Sequence, residues 1–253
     1  MLTSVGGGSD TEMPGSRTIL ISGFEPFGGE VTNPAAETAS TLDGRELAPG
    51  VRARSVILPV TWDGAIGALV KIVAGRLIPD RLAAVVMLGQ AGGYAAIGLE
   101  RVAVNVSNGR DNTGAERVEA PIVPEAGAGP AAYLATLPLE SIQKRVEAVG
   151  LPAFISNSAG TYLCNYLFYG FMHYLATAWT ETGPPGELPS GTAPSGARTR
   201  PRPLAGFVHL PYLPEQAVGK KPIPPSMSRG DIERAVLAVL EATAEATAEA
   251  AAS

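Results

Sequence analysis

The chain carries one cysteine and two histidines, so a reaction that needs both a thiol and an imidazole can be assembled in few ways. Cys164 follows the small-residue turn Ser156-Asn157-Ser158-Ala159-Gly160 and falls early in a segment, Gly160 to Trp179, with helical spacing. The first turn of a helix offers unpaired N–H groups and the positive end of the helix dipole, both of which favour a thiolate. The alternative is a cysteine that fills the core, where this residue type is often found. His173 lies on the same segment, about 13 Å along a helix that rises 1.5 Å per residue, and cannot reach the thiol. His209 remains, between the short apolar run Ala205-Gly206-Phe207-Val208 and the loop Leu210-Pro211-Tyr212-Leu213-Pro214; taken singly it could equally be a hydrogen-bonded structural imidazole. Glu100 interrupts an apolar strand just after a Gly-rich turn and is the best-placed carboxylate to orient the imidazole. Its alternatives are an exposed strand position and an ion pair with its neighbour Arg101. On three separate segments, these side chains would suit a nucleophilic hydrolase.

Other chemistries fit less well. The loops Gly23 to Gly29 and Gly89 to Gly93 are glycine-rich but contain neither GxxxxGK[ST] nor GxGxxG, and no lysine is placed to reach a phosphate, so the pattern does not support a nucleotide site. No His/Asp/Glu cluster has metal-ligand spacing, and neither a metal nor another cofactor is expected. With 19 Lys+Arg against 24 Asp+Glu and a net charge of -5, the chain lacks a basic block, and no nucleic-acid partner is expected. A lone cysteine suits a reducing compartment. Residues 1–15 have no apolar leader region and no stretch approaches 20 continuous apolar residues. A cytoplasmic protein without membrane spans is the expectation.

The elements that must position these residues alternate. A strand Thr18–Ser22 runs into the loop Gly23-Phe24-Glu25-Pro26-Phe27-Gly28-Gly29, and Asn33 beside Pro34 is a natural start for a helix reaching Leu42. Further strands are expected at Arg54–Val60, Ala83–Leu88, Leu99–Val106, Ala153–Ser156 and Gly206–Leu210, with helices at Trp62–Leu77, Leu137–Val149, Gly160–Trp179 and from Ser228 nearly to Ser253. This rhythm predicts a three-layer α/β/α domain with a mainly parallel twisted sheet and helices on both faces. Ligands then bind at the carboxyl ends of the strands, which gathers the two glycine loops, Ser156–Gly160 and the surroundings of His209 onto one rim. Residues 1–17 read as a disordered tail, and about 181–205, with six prolines among Gly, Ser and Thr, as a flexible insertion in a single domain spanning 18–253.

Four ordered blocks carry a resemblance. They are Gly23–Gly29 with Asn33-Pro34; Gly89-Gln90-Ala91-Gly92-Gly93 running to Glu100-Arg101-Val102-Ala103-Val104-Asn105; Ile155–Asn165 around the cysteine; and Gly206-Phe207-Val208-His209-Leu210-Pro211-Tyr212-Leu213-Pro214-Glu215-Gln216. Together they closely resemble the pyrrolidone-carboxylate peptidases, the pyroglutamyl peptidase I family of cysteine peptidases, over roughly Thr18 to Ala242. The resemblance implies hydrolysis of the amide bond after an N-terminal pyroglutamyl residue through a thioester acyl-enzyme. It implies Cys164 as nucleophile, His209 as general base and acid, Glu100 as the residue orienting the imidazole, and Arg110 near the oxyanion. Phe24, Phe27, Tyr162 and Leu163 would form an apolar slot for the ring, with Asn33 and Gln90 offering polar contacts. Core packing for the four apolar residues, helix capping for Asn33 and a loop hydrogen bond for Gln90 are the competing roles. The partners implied are peptides with N-terminal pyroglutamate and further copies of the chain, often as a tetramer.

Three positions depart from the family pattern. Tyr94 stands where an arginine usually follows the Gly-Gly pair, Gly98 replaces a serine or threonine, and the turn Gly109-Arg110-Asp111-Asn112 is short. They bear on substrate affinity and loop order, and keep two rivals in view: an amidohydrolase of the same fold with another acyl specificity, and a binding homologue without turnover.

Overall fold

A computed structural model describes residues 16–75, 82–123, 129–179 and 201–252. The expected tail lies outside these residues up to position 15, as does the expected insertion up to position 200. In chain order the elements are β1 (Arg17–Phe24), α1 (Pro34–Thr41), β2 (Glu46–Ala48), β3 (Val51–Leu58), α2 (Trp62–Ala74), β4 (Leu82–Gln90), β5 (Ile97–Glu100), β6 (Val102–Val104), β7 (Ser107–Arg110), β8 (Glu116–Ala120) and β9 (Ala132–Leu134), followed by α3 (Leu139–Ala148), β10 (Ala153–Ser156), α4 (Leu163–Thr177), β11 (Leu204–Leu210), α5 (Pro214–Ala217) and α6 (Arg229–Ala252).

Seven strands form one sheet in the order β10-β5-β11-β4-β1-β3-β2. The pairs β1/β3, β1/β4, β4/β11 and β5/β10 are parallel, while β5/β11 and β2/β3 are antiparallel. The α1, α3 and α6 helices cover one face and α2 and α4 the other, which is the expected three-layer α/β/α arrangement. Strand alternation sorts the side chains between the faces. In β4, Ala84, Val86 and Leu88 pack under α1, α3 and α6, whereas Val85 and Met87 pack under α2 and α4.

Two expectations need correction. The strand expected over Leu99–Val106 is broken at Arg101: β5 stays in the main sheet, while β6 leaves it to pair with β9. All four residues of β5 are buried, whereas β6 buries only Ala103; the alternation of residue types runs on through both pieces, so it could not reveal a change of partner. The last strand starts earlier than expected, so Leu204 and Ala205 belong to the sheet and not to the insertion; Pro203, which has no N–H to give a ladder, immediately precedes it. A third difference concerns direction. Because β5 and β10 run against β11, the turn after β10 is not brought to the carboxyl rim of β1, β4 and β11 by strand direction.

α4 explains how that turn still arrives there. Every residue from Leu163 to Leu175 is buried except Cys164, as expected for a helix that is apolar on all sides. Asn165 ties its first turn to β6, with Oδ1 accepting from Val104 N–H at 2.9 Å and Nδ2 donating to the Val104 and Val106 carbonyls, each at 2.9 Å. Among the described residues, no helix is long and apolar enough to cross a membrane.

Candidate active site

The sequence pattern points to a cysteine on a helix start, and the structure puts it closer to that start than expected. Cys164 is the second residue of α4, and Tyr162, the residue before the helix, makes no side-chain cap hydrogen bond. The N–H groups of Leu163, Cys164 and Asn165 therefore have neither an intrahelical acceptor nor a cap. Cys164 is partly exposed in an otherwise buried helix while also packing against the core on that side.

The sheet supplies the other two groups from its α2/α4 face. In β11, Val208 and Leu210 point to the opposite face and Phe207 and His209 to this one; in β5, Ile97 and Leu99 point away and Glu100 points here. The antiparallel register sets Phe207 opposite Glu100 and His209 opposite Gly98. From that diagonal position His209 Nδ1 lies 2.7 Å from Glu100 Oε1, with the carboxyl fully buried and the imidazole nearly so. The ring's other nitrogen is left for Cys164, whose sulfur lies against Gly89, the residue that pairs with His209 between β4 and β11. Burial by itself would lower the His209 pKa, but Cys164 and Glu100 outweigh it and push it up to about 9. An imidazole raised in this way holds its proton through neutral pH, as a group that must protonate a leaving amine requires.

Room for the sulfur comes from a glycine. A Cβ placed on Gly89 would sit 2.8 Å from Cys164 Sγ and 2.7 Å from Phe207 Cζ, so only a residue without a side chain fits there.

Cys164 and His209 open into a cavity of about 410 Å³, lined also by Phe24, Phe27, Gln90, Tyr162 and Leu163. The rim expectation therefore holds for all four loops: each contributes lining residues. Phe27 and Tyr162 approach with ring centroids 6.3 Å apart, and Trp62 meets Tyr162 edge-on at 5.5 Å. The Tyr162 hydroxyl donates to the Arg110 carbonyl at 2.8 Å. The result is a slot with flat apolar walls, suited to a small planar group.

Two residues expected at the site are placed elsewhere. Asn33 does not line the cavity. Its Oδ1 accepts from Ala35 N–H at 3.0 Å, capping α1, and its Nδ2 donates to the Glu25 carbonyl at 3.1 Å. Arg110 sends its guanidinium, 64% exposed, to Glu116 at 3.3 Å, and only its backbone carbonyl touches the Tyr162 wall. The reason is local: Arg110 pairs with Glu116 in the β7/β8 ribbon, which holds the side chain on the outside.

Other residues join the site that sequence reasoning did not assign to it. Val60 and Tyr212 line the cavity, and so does Tyr94, noted in the sequence only as a departure. Its ring stands edge-on to His209 at 5.8 Å and to Phe154 at 5.1 Å. It fills the space that Gly98 leaves open, since a Cβ there would lie 2.7 Å from Tyr94 Cε2. The two sequence departures are thus one spatial feature. Among the described residues, no group of three or more His, Cys, Asp or Glu side chains is arranged to hold a metal ion.

Comparison with known proteins matches residues 17–183 and 192–247 to the family model described as pyroglutamyl peptidase. The chain is 42% identical over 225 residues to a pyrrolidone-carboxylate peptidase of Gloeobacter violaceus, covering 88% of this chain and 95% of the relative. It is 41% identical over 204 residues to one of Chromobacterium violaceum, covering 80% and 81%. Among solved structures, pyroglutamyl peptidase I of Bacillus amyloliquefaciens matches with a TM-score of 0.73 and 33% identity, over 90% of this chain and 98% of that one. A mutant pyrrolidone carboxyl peptidase of the hyperthermophile Pyrococcus furiosus matches with the same TM-score and 34% identity, over 90% and 99%.

Proposed function

The chain belongs to the pyroglutamyl peptidase family of cysteine peptidases, and from that premise we propose how its own residues hydrolyse the amide bond after an N-terminal pyroglutamyl residue. The observation that carries the reading is the relay from Glu100 through His209 to Cys164 at the mouth of a flat-walled cavity. The Cys164 thiolate attacks the carbonyl carbon attached to the lactam ring. The free N–H groups of the first turn of α4 hold the oxyanion that forms, and His209 gives the proton on its cysteine-facing nitrogen to the leaving amine as the C–N bond breaks. The neutral imidazole then takes a proton from water, whose oxygen attacks the thioester; pyroglutamate leaves and the thiolate and imidazolium are restored. Glu100 holds the ring through Nδ1 and stabilises its charge.

A blocked N-terminus has no ammonium for an acidic subsite to recognise, so selection must come from shape and from hydrogen bonds to the lactam. Phe24, Phe27, Tyr162 and Leu163 supply the walls and Gln90 a polar contact. The support for Arg110 reaches only its carbonyl, which braces Tyr162. A lone cysteine suits reducing surroundings, and we place the protein in the cytoplasm as a homo-oligomer, a state that light scattering of the purified chain reads directly.

The deciding experiment follows release of a chromophore from a pyroglutamyl amide, beside an alanyl amide and beside the Cys164→Ala variant. Turnover confined to the pyroglutamyl compound and lost in the folded variant is expected. Full activity in Cys164→Ala would remove the thiol from the mechanism.

A further inference from the structure

We propose that Gln216, which does not line the cavity, fixes the Gln90 side chain so that its NH2 group faces the substrate, making Gln216 a positioning residue that selects a ring bearing a hydrogen-bond acceptor. The proposal rests on the reading that the cavity takes the pyroglutamyl ring.

The two ends of a glutamine amide are told apart by their partners, and here the partners leave one assignment. The Leu213 N–H can only donate, and it donates to Gln216 Oε1 at 3.0 Å. The other end of Gln216 is therefore its NH2. The Thr32 carbonyl can only accept, and it takes one of those protons at 3.2 Å. The second goes to Gln90 at 2.8 Å, so the Gln90 atom there is the acceptor Oε1. Gln90 Nε2 is thereby turned away from Gln216, and among the described residues it has no hydrogen-bond partner in a side chain that lines the cavity. The network begins and ends on backbone groups whose roles are fixed, and both glutamines are buried. Reversing either amide would set donor against donor or oxygen against oxygen away from water.

An inward NH2 matches the lactam carbonyl. It opposes the protonated ring amine of an ordinary N-terminal proline, which is a donor of similar size and shape. Gln216 thus governs discrimination that its own atoms never make by contact.

Two substitutions separate polarity from packing. In Gln216→Glu, Leu213 N–H still finds a carboxylate oxygen, but the second oxygen faces Gln90 and draws its NH2 away from the cavity, leaving Oε1 toward the substrate. In Gln216→Met the anchor is lost and the Gln90 amide is free to take either orientation. Steady-state kinetics on matched pyroglutamyl and prolyl amides are measured with the rate of Cys164 alkylation and the thermal midpoint. For Gln216→Glu, KM for the pyroglutamyl amide is expected to rise about tenfold to a hundredfold with kcat within about threefold, as for binding shared by ground and transition states. The preference over the prolyl amide should fall with it. Gln216→Met should lie between this variant and the unsubstituted protein, and alkylation should be unchanged in both. A folded Gln216→Glu with KM within about twofold of the parent, or equal losses in both variants with slowed alkylation, would overturn the proposal. No pyroglutamyl turnover by the unsubstituted protein, with Cys164 still alkylated, would defeat the function reading itself and this proposal with it.

Discussion

The two faces of the central sheet are packed with different materials. Under α1, α3 and α6 the buried cluster is aliphatic throughout, built from residues such as Ile19, Val86, Leu99, Ile142 and Val236, with no aromatic ring among its described members. Under α2 and α4 the buried cluster contains Phe24, Trp62, Tyr166, Phe168, Tyr169, Phe171, Tyr174, Trp179 and Phe207. Many of these rings are pinned at a polar end: Trp62 Nε1 donates to the Ala115 carbonyl at 3.0 Å, Tyr166 to Asp63 at 2.7 Å and Tyr169 to the Pro130 carbonyl at 2.7 Å. Aliphatic packing holds the sheet together; pinned rings also fix the direction of a surface. The thiol, imidazole and carboxylate all lie on the aromatic face. Ring surroundings alone do not make a histidine reactive, however. His173 is fully buried on that face too, stacked on Tyr169, but its Nδ1 meets the Tyr133 hydroxyl at 2.9 Å where that of His209 meets a carboxylate.

The largest effect expected from breaking this contrast is at Glu100. Glu100→Gln keeps the shape and removes the charge, and kcat is expected to fall roughly a thousandfold to ten-thousandfold, the scale of losing the orienting carboxylate in a triad. A loss under about tenfold would assign the carboxyl to packing. The same variant has a pH signature. His209 is raised from 6.5 to about 9 in the folded protein, so the stability its charged form contributes is complete below about 6.5 and is lost as pH rises through about 9. Activity that depends on the imidazolium should decline over that alkaline range. Removing the Glu100 charge should move the decline to lower pH, and a limb that stays in place would detach it from His209.

The aliphatic face provides the matching control. Ile142→Ala in α3 removes a fully buried side chain and is expected to cost on the order of 2–5 kcal/mol of stability, with kcat and KM at low temperature unchanged. Urea unfolding with kinetics on the same sample reads both. A KM change at constant fold would show that the two faces are coupled through the strands.

Much of this division was legible in the sequence through parity. Glu100 follows Leu99 and His209 follows Val208, so each charged or polar residue had to leave the face its neighbour entered. The loops that would meet were also legible, because they end strands. The antiparallel placement of β5 and the break at Arg101 were not, since alternation is the same in either direction. Glycine type likewise cannot say who occupies the vacated space: Gly89 admits the Cys164 sulfur and Gly98 admits the Tyr94 ring, and both follow from tertiary packing alone. Gln216 escaped notice because a buried glutamine on the four-residue α5 looks like surface composition until its partners are seen.

A smaller effect tests whether Tyr94 and Gly98 act as one feature. Gly98→Ala places a Cβ against the Tyr94 ring and 3.4 Å from His209 Cβ, and kcat/KM is expected to fall about tenfold as the imidazole is pushed off line. In a Tyr94→Ala background the space is free, and adding Gly98→Ala should cost almost nothing more, a coupling expected of residues in direct contact. Equal losses in both backgrounds would locate the strain in the β5 backbone instead.

The smallest expected effect concerns Arg110, where family resemblance and geometry part. An arginine acting at the oxyanion would have to bring its guanidinium to the start of α4, whereas here it is mostly exposed and paired with Glu116 on the β7/β8 ribbon. Exposed pairs of this kind contribute about 0–1 kcal/mol, and the link to the site is the Arg110 carbonyl, which any residue carries. Arg110→Ala is therefore expected to leave kcat/KM within about threefold of the parent. A fall of a hundredfold at constant KM would mean that the guanidinium swings from Glu116 to the oxyanion once substrate is bound. Glu116→Ala would then raise activity by freeing it, whereas for a purely external pair it should change nothing.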